Sequence, residues 1–138
     1  MTVQDPNVVA TSGAESADST RAGQLGLTTR AAVEGVTVLA VSGEVDMLTA
    51  PQLRAAALPH LDADGTLVLD LSGVSFLGSA GLAVLVEASQ QAKRRGAEFR
   101  VVAVERAVTR PLAATGLGEV FSVFTSVEQA VAADRTTR

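Results

Sequence analysis

A chain of 138 residues, 47% of them hydrophobic, fits one domain and carries enough apolar material for a compact core. It has no cysteine and a single histidine, His60, which excludes disulfides and thiolate metal sites and leaves little from which to build a zinc or haem centre. With 11 Lys and Arg against 15 Asp and Glu the net charge is −4, and the one tight basic cluster is Lys93, Arg94 and Arg95, so duplex nucleic acid is a poor partner.

Residues 1–24 are rich in Ser, Thr, Ala and Asp and keep neither a period of 2 nor of 3.6, which predicts a disordered leader. They lack the basic start and apolar run of a signal peptide. Every apolar segment is broken by glycine or charge well before the roughly 20 residues a membrane helix needs. The expectation is a cytoplasmic protein with no membrane partner. Strands are predicted at 25–29 and 36–41, joined as a hairpin by the turn signal Glu34-Gly35, with Ser42-Gly43-Glu44 ending the second. Leu48, Leu53, Ala56 and Ala57 then recur at helical spacing after the start signals Thr49 and Pro51, and Pro59 stops that helix.

A turn at 62–65 leads into 66–71, a near-continuous apolar strand of the kind buried on both faces. From Ser79 to about residue 95 the pattern is helical, with Leu82, Leu85, Val86 and Ser89 on one stripe, Glu87, Gln90 and Arg94 on another, and Gly96 as the C-cap. A strand at 98–104, a short helix at 106–114 containing Pro111, a strand at 120–124 and a helix at 126–133 complete the order, and 134–138 is expected to fray. Strands alternating with single helices predict a single α/β domain over 25–133. Its mixed, mostly parallel sheet would have four to five strands and about four helices, with right-handed crossovers and only the first pair antiparallel.

The most informative stretch is 67–86, LVLDLSGVSFLGSAGLAVLV, which runs from a buried strand into a helix whose first turn begins at Ser79. A serine at a helix N-terminus can cap the helix, worth about 1 kcal/mol, or carry a phosphate in the favourable field of unpaired N–H groups. Nucleophilic catalysis is disfavoured, because Leu77 replaces the first glycine of G-x-S-x-G and His60 precedes the serine in the chain. No P-loop is present, and Gly116-Leu117-Gly118 lacks the third glycine of a dinucleotide fingerprint. Glu44 and Asp46, two carboxylates at i and i+2, are too few for a metal site, and Asp46 can help to start the following helix. Lys93, Arg94 and Arg95 read as a cationic last turn that complements the helix dipole. No catalytic residue, metal or cofactor follows from the residues.

Two segments carry a resemblance. Gly43-Glu44-Val45-Asp46 followed by Thr49-Ala50-Pro51-Gln52-Leu53, and the run LDLSGVSFLGSAGL over 69–82, resemble the STAS-domain anti-sigma factor antagonists of bacteria, over about residues 25–133. The resemblance implies a partner-switching protein that binds an anti-sigma factor of the ATP-dependent serine-kinase type and so frees a sigma factor. It further implies that the kinase phosphorylates the serine falling on Ser79 and that a serine phosphatase reverses this. The family's partner surface maps onto Glu44, Asp46 and Thr49 after the second strand and onto Gly78, Ser79, Ala80, Gly81 and Ala83 at the helix start. The usual D-S-[ST]-G-L is here Gly78-Ser79-Ala80-Gly81-Leu82, so the acid before the serine and the hydroxyl after it are both absent. Ala83 is placed outward with Glu87 and Gln90, while Leu82, Leu85 and Val86 anchor the helix to the sheet. Two alternatives stand beside this: a STAS module of another assembly, such as a stress-signalling scaffold or the soluble regulatory partner of a transporter, and, from another class, a small serine hydrolase or nucleotide-hydrolysing protein.

Overall fold

The computed structural model describes residues 23–133; most of the expected leader, and the expected tail at 134–138, lie outside the described residues. Strands β1 (Gly26–Ala31) and β2 (Val36–Val45) form the hairpin, turning at Gly35 with φ 80°. Helix α1 (Ala50–Ala57) runs into a single 3-10 turn (Leu58–His60), and then come β3 (Thr66–Leu77) and α2 (Ser79–Arg95). Strand β4 (Glu98–Val102), helix α3 (Arg106–Thr115), a 3-10 turn (Leu117–Glu119), β5 (Ser122–Phe124) and α4 (Val127–Ala132) follow. The sheet order is β1-β2-β3-β4-β5, antiparallel in the first pair and parallel in the rest. The predicted α/β architecture and element order are therefore the observed ones.

The alternation of the central strands sends side chains to two unequal faces. Leu39, Leu67, Leu69 and Val101 meet Leu53 of α1, Leu85 of α2 and Val108 and Leu112 of α3 in the main core. Val38, Val68 and Val102 point the other way and meet only Ala130 of α4 as a fully buried partner. Arg100 fastens that short helix: its guanidinium is buried and Nη1 donates to the Ala130 carbonyl at 2.7 Å.

Two strands are longer than the sequence predicts. Ser42-Gly43-Glu44 does not end β2, and β3 does not stop at residue 71; the two stay paired in parallel to Val45 and Leu77. The glycines that read as punctuation act differently here. Gly43, at φ 109°, sits at register shifts on either side of Ser42 and Glu44 and lets β2 bulge and continue. Gly73 lets β2 pass close, because a Cβ there would lie 3.0 Å from both the Ser42 Cβ and the Val41 carbonyl oxygen. At the other end the differences are smaller: β4 stops at Val102 and β5 begins at Ser122, two residues inside the predicted ends. Helix α3 passes through Pro111 because Val108 and Leu112 hold it to the core on either side.

The buried stripe of α2 is Gly81, Val84, Leu85, Ala88, Ser89 and Ala92. Val86 is half-buried, so Val84 takes the anchoring place the sequence pattern gave to it. On the outer side α2 is tied to α1 by Arg54 and Glu87, whose Nε–Oε1 and Nη2–Oε2 bonds are 2.9 and 2.7 Å.

Gly81 is packed so tightly that a Cβ would come within 2.6 Å of both Leu77 Cδ1 and Val45 Cγ1. Gly81→Val is expected to lower stability in urea denaturation by about 2 kcal/mol, the scale of an overpacked core. The hydrogen bonds from Arg54 hold the Glu87 carboxyl below the usual glutamate range, with Coulombic attraction to Arg54 adding to the effect and desolvation opposing it. Because the folded value is lowered, the pair's contribution is present above the ordinary glutamate range and fades as pH falls through the lowered value. In Arg54→Ala the Glu87 carboxyl is expected to titrate at a higher pH by NMR.

Candidate functional site

The extended pairing of β2 and β3 brings two chain segments to one end of the sheet. Val45 stands opposite Leu77, and immediately beyond this pair the Gly78 N–H donates to the Val45 carbonyl at 2.9 Å. Residues 46–49 and the first turn of α2 therefore leave the sheet side by side. The sequence places its candidate residues on these two segments, and the structure brings them together.

Within the loop, polar groups are spent on its own shape. The Asp46 Oδ1 accepts the N–H groups of Leu48 and Thr49, both at 3.0 Å. Thr49 is 2% exposed; its hydroxyl donates to the Glu44 carbonyl at 2.7 Å and accepts the Asp46 N–H at 2.9 Å. Thr49 is thus the residue before α1, as predicted, but its side chain makes no cap and instead closes the loop behind it. The Asp46 backbone does join the helix, its carbonyl accepting the Ala50 N–H at 2.8 Å. Glu44 is exposed.

At the start of α2 the N-cap is Gly78, and Ser79 is the first helical residue. The capping role expected of the serine is absent: Ser79 is exposed and its hydroxyl makes no hydrogen bond within the described residues. A hydroxyl at N1 lies beside the unpaired N–H groups of the first turn, where negative charge is favoured. Ala80 is half-buried, Gly81 is buried and Ala83 is exposed. Of the predicted residues, Glu44, Ser79 and Ala83 face solvent, and Thr49 and Gly81 shape the surface from beneath.

Sequence reasoning missed the apolar part of this surface. Met47 is 79% exposed, Leu48 74% and Phe76 49%. The helical-spacing pattern put Leu48 on the buried stripe of α1, but α1 begins only at Ala50, and the Asp46 carboxylate holds Leu48 in the turn with its side chain outward. The available signal was a pair of apolar residues, Met47-Leu48, inside a turn between Asp46 and Thr49, where no period could bury both. Phe76 stands in register with Glu44 at the last turns of the sheet and escaped notice because its strand was cut short.

Among the described residues no group of three or more His, Asp or Glu side chains could hold a metal ion, and no helix is long and apolar enough to cross a membrane. His60 is half-buried in the turn after α1, on the far side of that helix from the loop.

This end of the sheet therefore carries, at the first position of α2, a Ser79 hydroxyl with no hydrogen bond among the described residues, together with the exposed side chains of Met47, Leu48 and Phe76. The STAS domain profile matches residues 29–130. The anti-sigma-F factor antagonist RsfB of Mycobacterium tuberculosis is 38% identical over 99 residues, 70% of this chain and 80% of that protein. The anti-sigma-B factor antagonist of Bacillus subtilis is 28% identical over 91 residues, 66% of this chain and 84% of that one. A crystal structure of an anti-sigma factor antagonist from Mycobacterium paratuberculosis superposes with a TM-score of 0.72 at 35% identity, covering 81% of this chain and 95% of that one. The chain belongs to the STAS-domain family.

Thr49→Val keeps the shape of the side chain but strands the Asp46 N–H and the Glu44 carbonyl. It is expected to cost about 1–3 kcal/mol in urea denaturation, with faster hydrogen exchange at the Asp46 amide.

Proposed function

We propose that this protein is an anti-sigma factor antagonist. It binds an anti-sigma factor of the serine-kinase type through Ser79, Ala83 and the exposed side chains of the loop at 44–49, and so releases a sigma factor. The single observation that carries this reading is the Ser79 hydroxyl at the first position of α2, exposed at an end of the sheet that carries apolar side chains and without a hydrogen-bond partner among the described residues. The names of its relatives agree in kind. The protein acts by binding and catalyses nothing, and the compartment implied is the cytoplasm, where sigma factors meet polymerase.

Phosphorylation of Ser79 by the bound kinase ends the interaction, and a serine phosphatase restores it. The modification adds about −1.5 to −2 charges and three acceptor oxygens at a helix N-terminus. Within the free protein this is tolerated, since the helix dipole favours negative charge there. In an interface the same group must be stripped of water against Met47 and Leu48, which is strongly unfavourable. Release therefore needs no unfolding. Gly78 and Ala80, which stand where the family motif has an acid and a hydroxyl, offer no side-chain group to the phosphate; losing the acid removes a like-charge repulsion beside it.

Incubation with ATP and each purified anti-sigma kinase of the same genome is expected to add one phosphate by intact mass, absent in Ser79→Ala. Ser79→Asp is expected to bind the same kinase at least about tenfold more weakly; equal binding of Ser79→Asp and wild type would overturn the switch.

A further inference from the structure

Gly78 has φ −90° and ψ −176°, a backbone that any residue adopts, so the course of the chain does not require glycine there. Phe76 does. A Cβ on residue 78 would lie 3.0 Å from Cε2 and 3.4 Å from Cζ of the Phe76 ring. The ring thus rests on bare backbone at the entry to α2, in space that a side chain at 78 would claim. The core has no use for it: Phe99 and Phe121 are buried, edge to face at 5.5 Å, and Phe124 packs on the second face, whereas Phe76 stays half exposed.

The charges around it are few. Between 44 and 49 and between 76 and 83 the only ionisable side chains are Glu44 and Asp46, and Asp46 is committed to the loop amides. What these two segments offer a partner is therefore Met47, Leu48 and Phe76 together with Ser79. A rigid aromatic ring that loses little conformational freedom on contact is the residue type on which binding energy concentrates.

We infer that Phe76, seated in the space left by Gly78, is the specificity-determining contact of this protein, and that the matching surface of its partner is an apolar pocket. This rests on the reading of the chain as an anti-sigma factor antagonist. Gly78 is a positioning residue in it: a side chain at 78 presses on the ring and displaces it from the place it holds here.

The test uses the full chain labelled with para-fluorophenylalanine. Its four phenylalanines give four fluorine signals, and that of Phe76 is assigned by its loss in Phe76→Leu. The chain is titrated with purified anti-sigma factors of the serine-kinase type from the same genome. One is expected to bind and to move the Phe76 signal, and Phe76→Ala is expected to weaken that complex about tenfold or more with an unchanged melting temperature. Gly78→Asn keeps a favoured N-cap residue, so the helix start survives. It is expected to shift the Phe76 signal in the unbound protein and to weaken the same complex. Binding of one factor to wild type, Phe76→Ala and Gly78→Asn with equal affinity would overturn the inference and leave the functional reading standing. Failure of every such factor to bind the wild type would overturn the functional reading, and the inference with it.

Discussion

The parallel pairing of β2 with β3, carried beyond the core to Val45 and Leu77, is the constraint on which the rest of this end of the molecule depends. Two strands that stopped at residues 41 and 71 would still form the sheet and bury most of the same apolar side chains. They would leave residues 42–49 and 72–78 as independent loops, each free to settle on its own. Pairing continues because Gly43 accepts a backbone that bulges and Gly73 accepts a neighbouring strand at contact distance. The hydrogen bond from Gly78 to Val45 then delivers the start of α2 at a defined place beside the loop.

Upon that frame the side chains divide their tasks by burial. Thr49, Gly81, Leu77 and Val45 are buried and packed or bonded, and they set the position of everything above them. Met47, Leu48 and Ser79 are exposed, and Phe76 is half exposed with its ring against Gly78. The backbone of this surface is already ordered by the groups beneath it, and a pre-ordered surface loses little entropy in any contact it makes. It also separates stability from recognition: the exposed side chains can vary in chemistry while the buried ones preserve the geometry.

The rest of the domain supports the same end from a distance. Three helices cover one face of the sheet and one short helix covers the other, held in part by the buried Arg100 guanidinium on a carbonyl of α4. A buried cation of this kind is strongly unfavourable unless it is bonded, and the Arg100 guanidinium meets both the Ala130 carbonyl of α4 and, at 3.8 Å, the Glu98 carboxylate of its own strand. Where the chain enters the sheet, Gln52 of α1 accepts the Leu25 N–H at 2.9 Å and donates to the Gly23 carbonyl at 2.6 Å. The first strand is thereby registered against the helix that follows the binding loop.

Much of this was legible without coordinates. The alternation of strand and helix patterns determined the α/β class, the element order and the single antiparallel pair, because hydrophobic periodicity is a local property of the chain. The start of α2 at Ser79 and its end at Gly96 were equally local, set by a glycine on either side. The two segments at 44–49 and 78–83 were also marked by their residues, and the fold sets them side by side at one end of the sheet. Other features needed the tertiary structure. A glycine that ends a strand and one that lets two strands approach are identical in sequence, so Gly43 read as the end of β2, and the part that Gly43 and Gly73 play is decided by the neighbouring strand. Whether Thr49 caps its helix or closes its loop depends on where the Glu44 carbonyl lies. Whether Leu48 and Phe76 are core or surface depends on what packs above them, and an apolar side chain carries no mark of its own exposure. The sequence by itself determined the elements and their order; which of their apolar and polar groups are turned outward was decided by long-range packing alone.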